Sequence, residues 1–387
     1  MRRAGRRAAV IVGVLVVVMA GACSPNPRGT AGVSSPPPLP TTSPAWARLD
    51  WTEAGRLTGF GQEARISALA ARDGLVVAGG TTGADSPTGL ILLTRDGRGW
   101  QRAADPDLEG VAVEDLAATD DGFVATGADG SGPGVASVVL RSADGRSWER
   151  IATLPGVSLR RVVAGPSGFI ALGDGDGGDG QVQLLSSVDA VRWVPVSSPA
   201  FDGATIADIA SVSGGWVAVG SDARRARAWT SADGRAWTAA PMDGAEPVPG
   251  IESVGIRDLT TSGTGLIALG TDDPPCEGDP EWCPHFGAAW WSRDGTDWLR
   301  LPTDGPLGQW GQRVFSAGDA GFVIFDGSAV LLSTEGYDWP EIPTNGPAPR
   351  YLHVDKAVMT GDLFVVAGSW IAEEPATLGI GAARIRR

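Results

Sequence analysis

The sequence predicts an all-β chain, a seven-bladed β-propeller closed by an N-terminal strand that completes the last blade, and three observations predict it. A seven-residue motif occurs first as Thr94-Arg-Asp96-Gly97-Arg-Gly-Trp100. It returns in copies led by Ser142, Ser187, Ser231, Ser292 and Ser333 and ending at Trp148, Trp193, Trp237, Trp298 and Trp339. A second signature, an apolar stretch between glycines, precedes each copy: Gly74 to Gly79, Gly122 to Gly127, Gly168 to Gly173, Gly215 to Gly220 and Gly265 to Gly270, with Gly321 to Asp326 as a degenerate sixth. The tryptophans are 48, 45, 44, 61 and 41 residues apart, the length of four short strands and their turns. The longest interval holds a loop with two cysteines.

Each unit reads in order as an inner strand, a tight turn, the buried glycine-bounded strand, a variable loop, a third strand, the Asp-Gly hairpin and an outer strand beginning at Trp. After Trp339 the chain offers Ala357 to Met359, Leu363 to Gly368 and Leu378 to Ile385, three strands without a fourth. Trp46-Ala-Arg48-Leu49 repeats the Trp-x-Arg pattern of Trp100 and Trp148. It is therefore expected as the outer strand of blade seven, which removes the exposed edge an open ring would leave.

Within the motif, Asp96, Asp144, Asp189, Asp233 and Asp294 recur around the ring. A carboxylate and a hydroxyl at the head of a tight turn accept from backbone N–H groups, and the following glycine tolerates positive φ. A structural role is expected, because one catalytic centre does not need the same residues six times. The motif resembles the Asp-box, or BNR-type, repeat of sialidases, sortilin-like receptors and photosystem assembly factors, one residue shorter than its commonest form. The resemblance covers residues 46–387. It implies the propeller fold and no single activity, since these families do unrelated things.

The start of the chain reads as an export signal: Arg2, Arg3, Arg6 and Arg7, an apolar run from Ala8 to Ala20, then Ala20-Gly21-Ala22-Cys23. Small residues before a cysteine resemble the lipobox of bacterial lipoproteins. This implies a leader over residues 1–22, a lipid on Cys23, and a protein on the outer face of the cytoplasmic membrane attached through that lipid alone. Residues 24–44, rich in Pro, Ser and Thr, read as a tether spanning on the order of 60 Å, and the propeller is expected over 45–387. Losing the leader takes the formal charge from −14 to −18, which disfavours nucleic acid and anionic membranes as partners. Cys276 and Cys283 are expected to form a disulfide outside the cytoplasm. With His285 and His353 the only histidines, no zinc site or other cofactor is expected, and the chain is expected to be a monomer.

If the inner strand runs from a top face to a bottom face, the Asp-Gly hairpins lie at the bottom and the variable loops at the top, where loops carry binding. Trp282, Trp310 and Trp370, outside the repeat, fall on top loops of blades five, six and seven, with Tyr351 and Arg350 on the same side. Such aromatics suit stacking against sugars or anchoring a protein, or they pack beneath their own loops. Aligning inner strands puts Arg161, Arg257, Arg313 and Lys356 at comparable positions near the tunnel mouth, with Asp115, Asp208 and Asp258 one position further on. These form either an anion grip or ion pairs between blades. Asp174, Asp176 and Asp179 stand in a glycine-rich loop with the look of a calcium site, but Gly178 and Leu185 occupy positions where an EF-hand needs acids. An acidic loop without metal is the other reading.

The functional reading is a surface-displayed, non-catalytic binding module for a glycan, a cell-wall component or an envelope protein. The resemblance to sialidases implies an alternative, an exo-glycosidase centred on Tyr351 with Arg257, Arg313 and Arg350. Against it, Tyr337 falls in a bottom hairpin and Arg65-Ile66 is followed by Ser67 where that family has proline. An assembly factor for an envelope complex is the third reading.

Overall fold

A computed structural model describes residues 46–56, 64–83, 88–130, 135–175, 182–276, 283–327, 329–346, 352–370 and 377–387. The leader, Cys23 and the tether lie outside these residues. The described chain is a seven-bladed β-propeller. Blade one is Arg65–Arg72, Leu75–Thr82, Thr88–Thr94 and Gln101–Arg102. The next four blades repeat this antiparallel order, with inner strands Val111–Thr119, Val157–Gly165, Ala204–Val212 and Ser253–Ser262. The inner strands touch one another in cyclic order, the strand Leu352–Thr360 of blade seven meeting Arg65–Arg72 of blade one. A closed ring around a central tunnel results.

Two blades depart from the four-strand unit. Blade six holds Phe315–Ser316, Phe322–Asp326 and Ala329–Ser333, and its outer edge is a single bridge from Leu331 to Glu341. Pro340 and Pro343 flank that edge, and proline cannot donate to a ladder. In blade seven the strand Arg48–Arg56 lies antiparallel to Thr377–Arg386, with Arg48 opposite Arg386 and Arg56 opposite Gly379. Thr344–Asn345 adds a short parallel strand outside it. Trp46 precedes that pairing and packs edge-on against Phe364, 5.4 Å between centroids.

Apolar side chains gather in clusters that each join two neighbouring blades. Trp290 and Trp298 of blade five pack with Val217 and Val219 of blade four, while Trp148, Val138 and Leu140 of blade two pack with Val77, Ile91 and Leu93 of blade one. Alternate residues of every strand thus face opposite neighbours, which makes the blades interdependent.

The motif hairpins have the expected internal bonding. In blade two the Gly145 N–H donates to Ser142 Oγ at 2.8 Å, and the Arg146 and Ser147 N–H groups donate to Asp144 Oδ1 at 2.8 and 3.0 Å. These amides hold the Asp144 carboxyl below its usual range. The indole N–H of Trp148 bonds the Gly145 carbonyl within its own hairpin, and Trp193, Trp237, Trp298 and Trp339 do likewise. In blade three Ala190 replaces the glycine yet keeps φ at 60°.

Candidate functional site

The tunnel wall is organised by a β-bulge in six inner strands. The register shifts between Ile66 and Ala68, Val113 and Asp115, Leu159 and Arg161, Ile206 and Asp208, Ile256 and Asp258, and Val354 and Lys356. The skipped residues, Ser67, Glu114, Arg160, Ala207, Arg257 and Asp355, form one level. Ala68, Asp115, Arg161, Asp208, Asp258 and Lys356 form the next. Counting back from the Phe315–Val323 pair puts Arg313 in this second level.

This corrects the alignment drawn from sequence. Arg257 is a bulge residue and does not share the level of Arg161, Arg313 and Lys356, whereas Asp115, Asp208 and Asp258 do.

Most of these groups link one blade to the next. Arg161 Nε meets Asp208 Oδ1 at 3.1 Å, and the second Asp208 oxygen accepts from the Leu259 N–H of blade five at 3.0 Å. Burial pushes the Asp208 carboxyl up against the pull of Arg161, and the Asp208 charge in turn raises Arg161. Asp115 accepts from the Val162 N–H at 2.8 Å. Ser67 donates to the Val113 carbonyl, Arg160 to the Ala207 carbonyl, and Arg257 to the Gln312 carbonyl at 2.6 Å. Arg313 pairs with Asp355 at 3.4 Å. Arg161 and Arg313 therefore make inter-blade ion pairs, while Arg257, its own charge disfavoured by burial, holds a backbone carbonyl.

A second constellation stands on the top face, where blade five's loop after Gly265–Asp273 meets the connection into blade six. Cys276 and Cys283 are disulfide-bonded, with Cα atoms 5.7 Å apart. Two residues on, His285 Nδ1 lies 2.8 Å from Asp273 Oδ1. The other Asp273 oxygen accepts from Thr271 Oγ1 at 3.1 Å and from Ser253 Oγ at 3.4 Å. The His285 ring stacks on Trp310, with centroids 5.7 Å apart and planes at 27°. Trp310 is nonetheless 64% exposed, against 0% for Trp290 in the same region's core. An indole held in one orientation yet open to solvent can stack on an apolar sugar face or fill a partner's pocket without first losing rotamer freedom.

Sequence reasoning reached Trp310 but not Asp273 or His285. The proximity of His285 to Cys283 was the available signal. Trp370 ends the strand Leu363–Trp370 at the top, opposite Thr377. Asp174 lies in the strand Gly168–Gly175, opposite Val182. Trp282, Arg350, Tyr351, Asp176 and Asp179 lie outside the described residues. Sequence reasoning also missed Asp272, fully buried and 2.7 Å from Arg300 Nη2, with that guanidinium 4.3 Å over the Trp290 ring. This pair ties the second strand of blade five to its outer strand.

No family model and no curated protein matches the chain. Solved structures do. The polysaccharide lyase Uly1 aligns with a TM-score of 0.51 at 10% identity, over 85% of this chain and 91% of its own. A GH93 α-L-arabinofuranosidase of Fusarium graminearum, in complex with arabinobiose, gives 0.46 at 12% identity, over 86% and 98%. The Trypanosoma rangeli sialidase in complex with sialic acid gives 0.39 at 12%, over 84% of this chain and 54% of its own. Identity this low speaks to fold alone, and the class so defined is the seven-bladed β-propeller, with glycoside hydrolases and a sialidase among its structural neighbours.

Proposed function

We propose that this propeller is a lipid-anchored, extracytoplasmic, non-catalytic binding module whose top face at blades five and six takes a glycan. The observation that carries this reading is Trp310, exposed over most of its surface yet held by His285 and, through it, by Asp273. Sugar-ring faces are apolar and their edges polar. A fixed indole flanked by a histidine and a carboxylate offers both kinds of contact.

Two further features support it. Arg257 and Arg313, which a sialidase-like centre would turn on a substrate carboxylate, are engaged with Gln312 and Asp355. The strand Arg48–Arg56 starts opposite Arg386, at the bottom end of blade seven. A chain anchored at Cys23 would therefore leave from the face opposite Trp310 and hold the top face away from the lipid.

A glycan array probed with the full chain, alongside a sialoside-cleavage assay, tests the reading. Binding without cleavage is the expected result. Cleavage abolished by Tyr351→Phe would replace the reading with the glycosidase one, and the absence of any glycan signal would move the search to envelope proteins.

A further inference from the structure

The bottom face between blades four and five opens into a cavity of about 1080 Å³, set among the hairpins and inner turns on the side of the ring opposite Trp310. Five side-chain hydroxyls border it, those of Ser211, Ser213, Thr230, Thr238 and Thr261. Ser211, Thr230 and Thr261 are half-buried. Among the described residues, none of the five hydroxyls makes a hydrogen bond with protein.

Comparison of the blades accounts for the space. The residue before each motif copy faces the following blade. In blades one, five and six it is Leu93, Trp291 and Leu332, each buried in the cluster that joins its blade to the next. In blade two Arg141 crosses to the Asp189 carbonyl of blade three. Blade four has Thr230 there. Thr238, opposite Thr230 on the outer strand, stands where blade five has Leu299, which packs toward blade six. The cleft that blade five fills with an indole and a leucine is left open in blade four, since threonine is shorter and its hydroxyl must meet water or a polar partner. Blade three has Ser186 at the same position, and it borders a smaller space of about 220 Å³ toward blade four. The inner wall changes in the same sense. One residue before the end of the inner strand, Ala71, Ala118 and Ala164 of blades one to three give way to Ser211 in blade four and Thr261 in blade five.

The charge of the cavity points to the kind of molecule it takes. Among the described residues, the only charged ones bordering it are Arg293 and Asp294, neighbours of opposite sign, so the site is neutral in a chain of formal net charge −14. Asp294 Oδ1 accepts from the Thr296 N–H and hydroxyl at 3.0 and 2.7 Å, and its other oxygen is left to accept from a ligand. Serine and threonine hydroxyls both donate and accept, as sugar hydroxyls do. An apolar molecule would strand these groups, and a simple ion would meet one charge of each sign.

We propose that this cavity is a second binding site that takes a neutral saccharide unit, held by hydrogen bonds to the hydroxyl wall, Arg293 and Asp294. Its volume is just above the roughly 300–1,000 Å³ of small-molecule sites. It lies on the opposite face from Trp310, and neither site requires the other.

Saturation-transfer NMR on the full chain carrying Trp310→Ala tests the proposal, because any signal then arises away from the top-face platform. The probes are glucose, galactose, mannose, maltose and lactose, with glucuronate, glucosamine and sulfate as charged comparisons. At least one neutral sugar is expected to bind saturably and about tenfold or more tightly than the charged comparisons. Thr230→Leu, which restores the residue type of blades one and six, should weaken that binding by about tenfold or more, as it fills the cavity and removes a hydrogen-bonding group. Thr238→Leu, at an exposed position, gives the same reading if Thr230→Leu fails to fold. The proposal is overturned if no neutral sugar binds the Trp310→Ala protein, if a charged comparison binds as well as the neutral sugars, or if the folded leucine variants keep their parent's affinity. Sugar binding seen in the unsubstituted protein and abolished by Trp310→Ala would leave the top-face reading standing and strike this one.

Discussion

The hairpin glycines and Ala190 form a natural pair of opposite substitutions. Gly295 has φ of 89°, and a Cβ there would stand 2.3 Å from Val217 Cγ2 and 3.2 Å from Val217 Cγ1 in blade four. An L-residue in this region costs about 1–2 kcal/mol, reduced by about 0.4–1 kcal/mol for the stiffer unfolded chain. Overpacking against Val217 adds about 1–3 kcal/mol. Gly295→Ala should therefore destabilise by about 3 kcal/mol. Ala190 holds φ of 60° but its methyl group is fully buried beside Val139 and Leu185. Ala190→Gly relieves about 1–2 kcal/mol of backbone strain, loses up to about 1 kcal/mol to unfolded-state entropy and about 0.8 kcal/mol of methyl burial. It should fall within about 1 kcal/mol of neutral. Urea unfolding followed by tryptophan fluorescence reads both. A Gly295→Ala protein as stable as wild type, or an Ala190→Gly loss above about 2 kcal/mol, would refute the inference that blade packing, rather than the hairpin alone, dictates the glycine.

Three more outcomes are expected. Arg161→Met strips Asp208 of its counter-charge; because Arg161 is a third exposed to the tunnel, the loss should be about 2 kcal/mol, below the range for deeply buried pairs, and adding Asp208→Asn should recover most of it in the same unfolding assay. Asp50, tied to Arg48 and Arg386, is held down to about 2, and the carboxyls of Asp96, Asp144, Asp189, Asp233 and Asp294 are lowered as well. Groups lowered on folding stabilise fully above their unfolded value and lose that contribution as pH falls through the folded one, so melting temperature should drop between about pH 4 and pH 2, and Asp50→Asn should shrink that drop. Reducing Cys276–Cys283, which closes a short loop, should cost about 2 kcal/mol at most and should raise the solvent exposure of Trp310, seen as a red shift in its emission against a Trp310→Phe reference.

The repeating units were legible because each combines signals that agree: a glycine-bounded apolar strand, a hydroxyl-carboxylate-glycine turn and a tryptophan at fixed spacing. Local turn chemistry and core packing select the same residues, so the blades could be counted from sequence. The bulge was not legible, since Ser67, Glu114, Arg160, Ala207, Arg257 and Asp355 share no residue type that would mark an extra position. A trace of it existed in the glycine facing it. A Cβ on Gly270 would lie 1.8 Å from the Gly255 carbonyl oxygen, and one on Gly368 would lie 1.8 Å from that of His353, so the glycine ending each apolar strand reports where the inner strand kinks inward. In blade one that glycine is Gly80, which approaches the Arg65 carbonyl, and not Gly79 as the motif count gave. The reduced edge of blade six was hidden for another reason: the Trp339 motif survives there while the prolines after it remove ladder donors. The Trp310 platform depends on contacts between two connections distant in sequence, and only the aromatic itself stood out from the repeat.

The measurement that bears most directly on the central claim is glycan binding by the full chain and its Trp310→Ala variant at equal concentration on the same array. The variant should keep the melting temperature of the parent, because Trp310 is mostly exposed, and should lose about 2 kcal/mol or more of binding free energy, the scale of an aromatic anchor. Binding that survives the substitution unchanged would contradict the assignment of the top face at blades five and six as the recognition site.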